Sequence, residues 1–188
     1  QRPLWSPDGK QVCFARHEGS KILLWLRDAS TGMTRRVTKR ELPEYDASWS
    51  PDGKWIAFAS KRHGGWDIFV APSDGGAAQQ ITWHAGAEFP GGWSPDGKQL
   101  VFAGRRDSPN YALYTVDLKT FATGRLCEDY AAMNYPSFAP DGKTVVYGRY
   151  GFPWTRPRYT GSAAAQIWTV NVADGRRKPL TSDDRQHL

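Results

Sequence analysis

The chain has 188 residues, enough for an ordinary core, and carries 25 Lys and Arg against 19 Asp and Glu, a formal charge of +6. The charges are spread rather than gathered in one run, so nucleic acid is not an expected partner, and no apolar stretch approaches the roughly 20 residues that span a bilayer. Glycine (19), proline (13) and tryptophan (9) are abundant, which points to short strands, tight turns and large aromatic packing units rather than helices.

The chain opens on Gln1 rather than Met, as a processed product or an excised piece would. The first recognisable unit is Trp5-Ser-Pro-Asp-Gly-Lys10. A β-rich run follows at 11–16, then a run carrying Trp25 and a last run ending at Thr38. The hexapeptide returns at 49–54 and 93–98, and as Phe138-Ala-Pro-Asp-Gly-Lys143. These units start 44, 44 and 45 residues apart, close to the roughly 40–45 residues of a four-stranded β-propeller blade.

Registers inside the units agree. The β-rich runs recur at 55–60, 99–104 and 144–149, the aligned aromatics are Phe69, Tyr114 and Trp168, and the last runs end at Thr82, Cys127 and Thr181. Each run end lies 13 residues after its aromatic and, in three cases, 11 before the next Trp or Phe. The expected fold is all-β: a single domain over 1–188, a β-propeller of four four-stranded antiparallel blades at about 1–40, 41–84, 85–130 and 131–188. Cys13 and Cys127 fall in strands of different repeats, so a disulfide is not expected and the compartment is not decided by them.

The hexapeptide has a mechanical reading. Proline pre-sets φ for a turn, aspartate stabilises the turn locally, and glycine accepts φ > 0. Ser-Pro-Asp-Gly is then the hairpin between the first and second strands of each blade, and the preceding Trp is a buried wedge between blades. Turn chemistry accounts for Asp8, Asp52, Asp96 and Asp141 without a metal.

The repeated Trp-Ser-Pro-Asp-Gly-Lys, Ile-Ala-Phe-Ala-Ser, Asp67-Ile-Phe-Val70 and Ile81-Thr82 resemble the TolB-type (PD40, WD40-like) propeller repeat over the whole chain. The stretch over 149–161, with Ala165-Gln-Ile-Trp168 and Leu180-Thr-Ser-Asp-Asp184, is similar to the N-terminal propeller of tricorn-like S41 peptidases. That resemblance implies a non-catalytic propeller, usually six-bladed and joined to a separate serine-protease part. It also favours a periplasmic or otherwise extracytoplasmic location.

One spacing breaks the pattern. From first-strand aromatic to aligned aromatic is 20, 20 and 21 residues in blades 1 to 3, but 30 from Phe138 to Trp168. The insertion, residues 151–165, contains Phe152, Trp154, Arg156, Arg158 and Tyr159. It opens on the same face as loops carrying Arg16 and His17, Lys61, Arg62 and His63, and Arg105 and Arg106. Guanidinium groups interleaved with aromatics can hold carboxylates or a peptide terminus. The candidate ligand site is therefore Arg62, His63, Arg105, Arg106, Trp154, Arg156, Arg158 and Tyr159. The competing reading is that these arginines cap strand ends and pair with Glu44, Asp46, Glu88, Glu128 and Asp129.

No Gly-x-Ser-x-Gly elbow, His-Glu-x-x-His spacing or phosphate-cradling glycine loop is present. No catalytic residue, metal ligand or cofactor is assigned. The leading expectation is a non-enzymatic module that binds a protein or peptide. The alternative is a fragment of the substrate-gating propeller of a tricorn-like serine peptidase, without activity alone. Joining one copy's end to another's start places 12 residues between Thr181 and the next Trp5, against 11 inside the chain. A homodimer of half-propellers, closing an eight-bladed ring, is the expected assembly, with a self-closed four-bladed monomer as runner-up.

Overall fold

The computed structural model describes residues 2–39, 42–107, 109–150 and 165–181. These residues hold strands and no helix, arranged in four sheets of four. Blade 1 comprises β1 (Leu4–Trp5), β2 (Gln11–Glu18), β3 (Lys21–Asp28) and β4 (Thr34–Arg36). Blade 2 comprises β5 (Glu44–Trp49), β6 (Trp55–Ser60), β7 (Asp67–Pro72) and β8 (Gln79–Gln80). Blade 3 is β9 (Glu88–Trp93), β10 (Gln99–Gly104), β11 (Ala112–Asp117) and β12 (Thr123–Cys127). Blade 4 is β13 (Ala132–Phe138), β14 (Thr144–Tyr150), β15 (Gln166–Asn171) and β16 (Arg177–Pro179). Within each sheet the strands follow chain order and neighbours are antiparallel, the arrangement of propeller blades.

The hexapeptide turn forms as its chemistry demands. Asp8 Oδ1 accepts from the Ser6 hydroxyl at 2.6 Å and from Lys10 N–H at 3.1 Å, while Ser6 Oγ accepts Gln11 N–H at 2.9 Å. Gly9 takes φ 69°, which only glycine adopts without strain. The same bonds recur around Asp52 and Asp96. In blade 4, where Ala139 replaces the serine, Asp141 Oδ1 takes both Lys143 N–H at 2.8 Å and Thr144 N–H at 3.2 Å.

The aligned aromatics also gain a reason. Phe14 faces Trp25, Phe58 faces Phe69, Phe102 faces Tyr114 and Tyr147 faces Trp168 across the second and third strands. Such directly opposed pairs are the unit of sheet stabilisation. The threonines at the run ends act as caps: Thr82 Oγ1 accepts Ile68 N–H at 3.0 Å, and Thr181 Oγ1 accepts Ile167 N–H at 3.2 Å.

Three hydrophobic clusters sit one at each blade junction, so the core lies between sheets rather than within them. First strands pack successively, β1 on β5, β5 on β9 and β9 on β13, and are therefore innermost. The last contact is close enough that a Cβ on Gly91 would lie 2.1 Å from the Pro136 carbonyl oxygen. The wedge tryptophans dock backwards onto these strands. Trp49 Nε1 donates to Leu4 O at 3.2 Å and Trp93 Nε1 to Ser48 O at 3.2 Å. Trp93 is 8% exposed. Trp5, in the first of the four described sheets, is 62% exposed, so the buried-wedge expectation does not extend to blade 1. Cys13 and Cys127 are free thiols, and burial pushes both up to about 12.

Candidate ligand-binding face

Because neighbouring strands alternate in direction, the β2–β3, β6–β7 and β10–β11 connections and the links between blades open on one face. Of the eight residues singled out in the sequence, Trp154, Arg156, Arg158 and Tyr159 lie outside the described residues. The other four divide into two kinds.

Arg62 and Arg106 turn inward. Arg62 Nη2 donates to Glu44 Oε1 at 2.7 Å, with side chains only 4% and 1% exposed. Its guanidinium covers the Phe58 and Phe69 rings at 5.1 and 4.8 Å. Arg106 repeats the arrangement in blade 3, pairing through Nε with Glu88 and lying over Phe102 and Tyr114. Burial raises the Glu44 carboxyl, and the Thr38 hydroxyl, Leu24 N–H and Arg62 work against that rise. Glu44 joins blade 1 to blade 2, since Leu24 N–H donates to its Oε2 at 3.2 Å and Thr38 Oγ1 donates to its Oε1. Further along, Arg149 Nε donates to Asp129 Oδ2 at 2.9 Å and Arg177 Nη1 to the same oxygen at 2.6 Å. Arg125 meets Glu128 at 2.8 Å. Of the arginines in the candidate site, Arg62 and Arg106 pair with Glu44 and Glu88, while Glu128 and Asp129 pair with Arg125, Arg149 and Arg177, which lie outside it.

Arg105 and His63 turn outward. Arg105 is exposed, with its guanidinium 4.4 Å above the Tyr111 ring centroid. His63 is exposed, and its Nδ1 meets Gln80 Oε1.

Between them runs a feature that the sequence reasoning missed. Tyr45, Trp66, Phe89 and Tyr111 form a continuous ladder, with ring centroids 5.0, 5.8 and 6.0 Å apart along it. Lys61 Nζ lies 5.1 Å above Trp66, so Lys61 and Arg105 flank the ladder with cations. A signal for it existed. Tyr45 and Phe89 each stand four residues before a wedge tryptophan, and Trp66 and Tyr111 each three before an aligned aromatic. Tyr45 and Phe89 belong to inner strands and Trp66 and Tyr111 stand just before third strands, so the ladder crosses from blade 2 to blade 3. Half-exposed rings between two outward cations can stack against planar groups and attract carboxylates.

A model of the tricorn protease N-terminal β-propeller domain matches residues 23–188. Among solved structures, the putative TolB from Agrobacterium tumefaciens superposes with a TM-score of 0.79 at 28% identity, over 96% of this chain and 61% of that one. TolB from Acinetobacter baumannii superposes with a TM-score of 0.78 at 23% identity, over 99% of this chain and 45% of that one. The tricorn protease itself gives 0.65 at 14% identity, over 94% of this chain and 21% of that one. The last two establish likeness of fold alone. The chain spans less than two thirds of the length of each of these structures. Comparison with curated proteins finds no significant match.

Proposed function

The chain belongs to the tricorn protease N-terminal β-propeller domain family, and from that premise we propose that it is a non-catalytic module binding an acidic protein or peptide segment. The observation that carries this reading is the ladder of Tyr45, Trp66, Phe89 and Tyr111 between Lys61 and Arg105. Loops on a rigid scaffold are where binding residues gather, and this ladder joins loops of two blades. His63 and the insertion residues Trp154, Arg156, Arg158 and Tyr159 belong to the same proposed face through their place in the loop order. Arg62 and Arg106 serve it indirectly, by holding the loops that carry Lys61 and Arg105.

The family match favours a second reading, in which the module is part of the gating propeller of a larger serine peptidase. The same face would then screen peptides on their way to a separate catalytic part. On either reading we place the protein outside the cytoplasm, by its likeness to TolB-type repeats. The exposed Trp5 supports a homodimer in which two half-propellers close one ring.

A fluorescein-labelled peptide rich in Asp and Glu, titrated by anisotropy, tests the binding reading. Arg105→Ala should weaken binding roughly tenfold, the loss of one charge-assisted contact. Arg105 is exposed, so the variant should keep the melting curve of the parent chain. Arg106→Ala is the wrong variant here, because it strands the buried Glu88. Equal affinity of Arg105→Ala and parent, or no binding by the parent, overturns the proposal.

A further inference from the structure

One cleft gathers side chains that the other three blades do not place together. It lies at the outer edge of blade 2, between the β6–β7 loop and the link that follows β8. It has a volume of about 560 Å³, and His63, Asp67, Gln80, Trp83 and His84 stand on its walls. Two residues before the aligned aromatic, the other blades carry Leu23, Ala112 and Gln166, while blade 2 carries Asp67. At the register of Trp83, blades 1 and 3 carry Lys39 and Glu128. A fold that forms three blades without a carboxylate at this position does not require one in the fourth.

Asp67 is 4% exposed and yet makes no ion pair among the described residues. Its Oδ1 accepts His84 N–H at 3.3 Å and its Oδ2 accepts Gln80 Nε2 at 3.2 Å, which leaves lone pairs on both oxygens. A buried carboxylate without a counter-charge is costly. Burial pushes the Asp67 carboxyl above its ordinary range, against the pull of His84 N–H and the charges of His63, His84 and Arg106.

The surrounding groups both donate and accept, with His84 Nδ1 accepting Gly86 N–H at 2.9 Å. Gln80 Nε2 also donates to Thr82 O at 2.9 Å, which turns its amide oxygen toward His63 Nδ1. An amide oxygen only accepts, so the His63 Nδ1 that meets it is the donor. Trp83 is 58% exposed and meets Phe121 in a T-shaped contact with ring centroids 5.7 Å apart, and an exposed indole is a ring that a cation can cover. Among the described residues no three His, Cys, Asp or Glu side chains group as metal ligands.

We propose that this cleft binds a primary ammonium group, that of a lysine side chain or a peptide amino terminus, through the Asp67 carboxylate and the Trp83 ring. It takes a cation where the aromatic ladder takes an anion. Failure of either site leaves the other standing.

The indole N–H resonance of Trp83, assigned with Trp83→Phe in ¹⁵N-labelled protein, reports on the cleft. Nα-acetyl-lysine amide supplies an ε-ammonium, triglycine amide an α-ammonium, and Nα-acetyl-norleucine amide is the uncharged control. Either ammonium probe should give a saturable shift with a dissociation constant on the order of millimolar, and the probe that binds more tightly identifies the natural source. The norleucine probe should give none, and Asp67→Asn should weaken the ammonium shift at least tenfold. Should Asp67→Asn fail to fold, exposed Trp83→Ala takes its place, with a His63 ring resonance as readout and the same tenfold loss expected. The proposal is overturned by equal shifts from lysine and norleucine probes, by a substituted cleft that binds as the parent does, or by no shift from either ammonium.

Discussion

Asp28 shows what a single carboxylate does in this fold. Its Oδ1 accepts the Ser30 and Thr31 backbone N–H groups at 2.9 and 2.8 Å and both their hydroxyls, which closes the β3–β4 hairpin. The Ser30 hydroxyl, then the Thr31 groups, hold its carboxyl down to about 2. The folded carboxyl binds its proton less tightly than a free aspartate at 3.8. Its contribution to stability is therefore complete above the free value and is lost as pH falls through about 2. A carboxyl-carbon NMR titration should find the midpoint near 2, and a midpoint at the ordinary value would mean that the turn opens in solution. Asp8, Asp52 and Asp96 are lowered in the same direction, first by the serine hydroxyl and then by the lysine N–H. Such carboxylates are legible from sequence because their partners lie within three residues. The partners of Arg62 and Arg106 lie 18 residues away in each case. Sequence could name Glu44 and Glu88 as candidates but could not choose between pairing and ligand binding.

At the scale of the element, the wedge tryptophan separates two roles that look identical in the repeat. Trp93 is buried against blade 2 and donates to Ser48 O. Trp93→Ala should cost about 3–5 kcal/mol, the usual loss for a large buried aromatic. Trp5→Ala in dilute chain should cost less than about 1 kcal/mol, because exposed substitutions rarely cost more. Urea unfolding of the two variants side by side decides this. Equal losses would mean that the junctions do not depend on the wedge. The hairpins, the cross-strand aromatic pairs and the threonine caps were all implied by one set of spacings. The ladder was not foreseen, although Tyr45, Trp66, Phe89 and Tyr111 recur at fixed offsets. Its rings come from two different positions in each blade, and the two pairs join only where blades 2 and 3 pack, at Trp66 and Phe89.

For the whole molecule, the junction is a heterologous contact repeated along the chain. Each wedge tryptophan faces the inner strand of the blade before it, at Leu4 for Trp49 and at Ser48 for Trp93. The same register in blade 4 falls on Ser137. The proposed homodimer would set Ser137 of a second copy against Trp5, and two copies related by a two-fold axis would then close one ring. Light scattering at micromolar concentration should then report about twice the 21.1 kDa chain mass, falling toward one chain mass in Trp5→Ala. A parent chain that stays monomeric across concentrations overturns the dimer.

Sequence by itself determined the number of repeats, the strand order within each, the turn chemistry and the aromatic registers. All of these depend on residues close together in the chain and on a period that four copies state independently. Tertiary structure alone decided which residues distant in the chain meet. It buried Arg62 and Arg106 against Glu44 and Glu88, turned Arg105 outward over Tyr111, and assembled the ladder and the Asp67 cleft. The physical reason is one of distance. A turn is closed by neighbours along the chain, whereas Arg62 and Arg106 reach partners 18 residues back in their own blades and Trp49 and Trp93 reach the blade before.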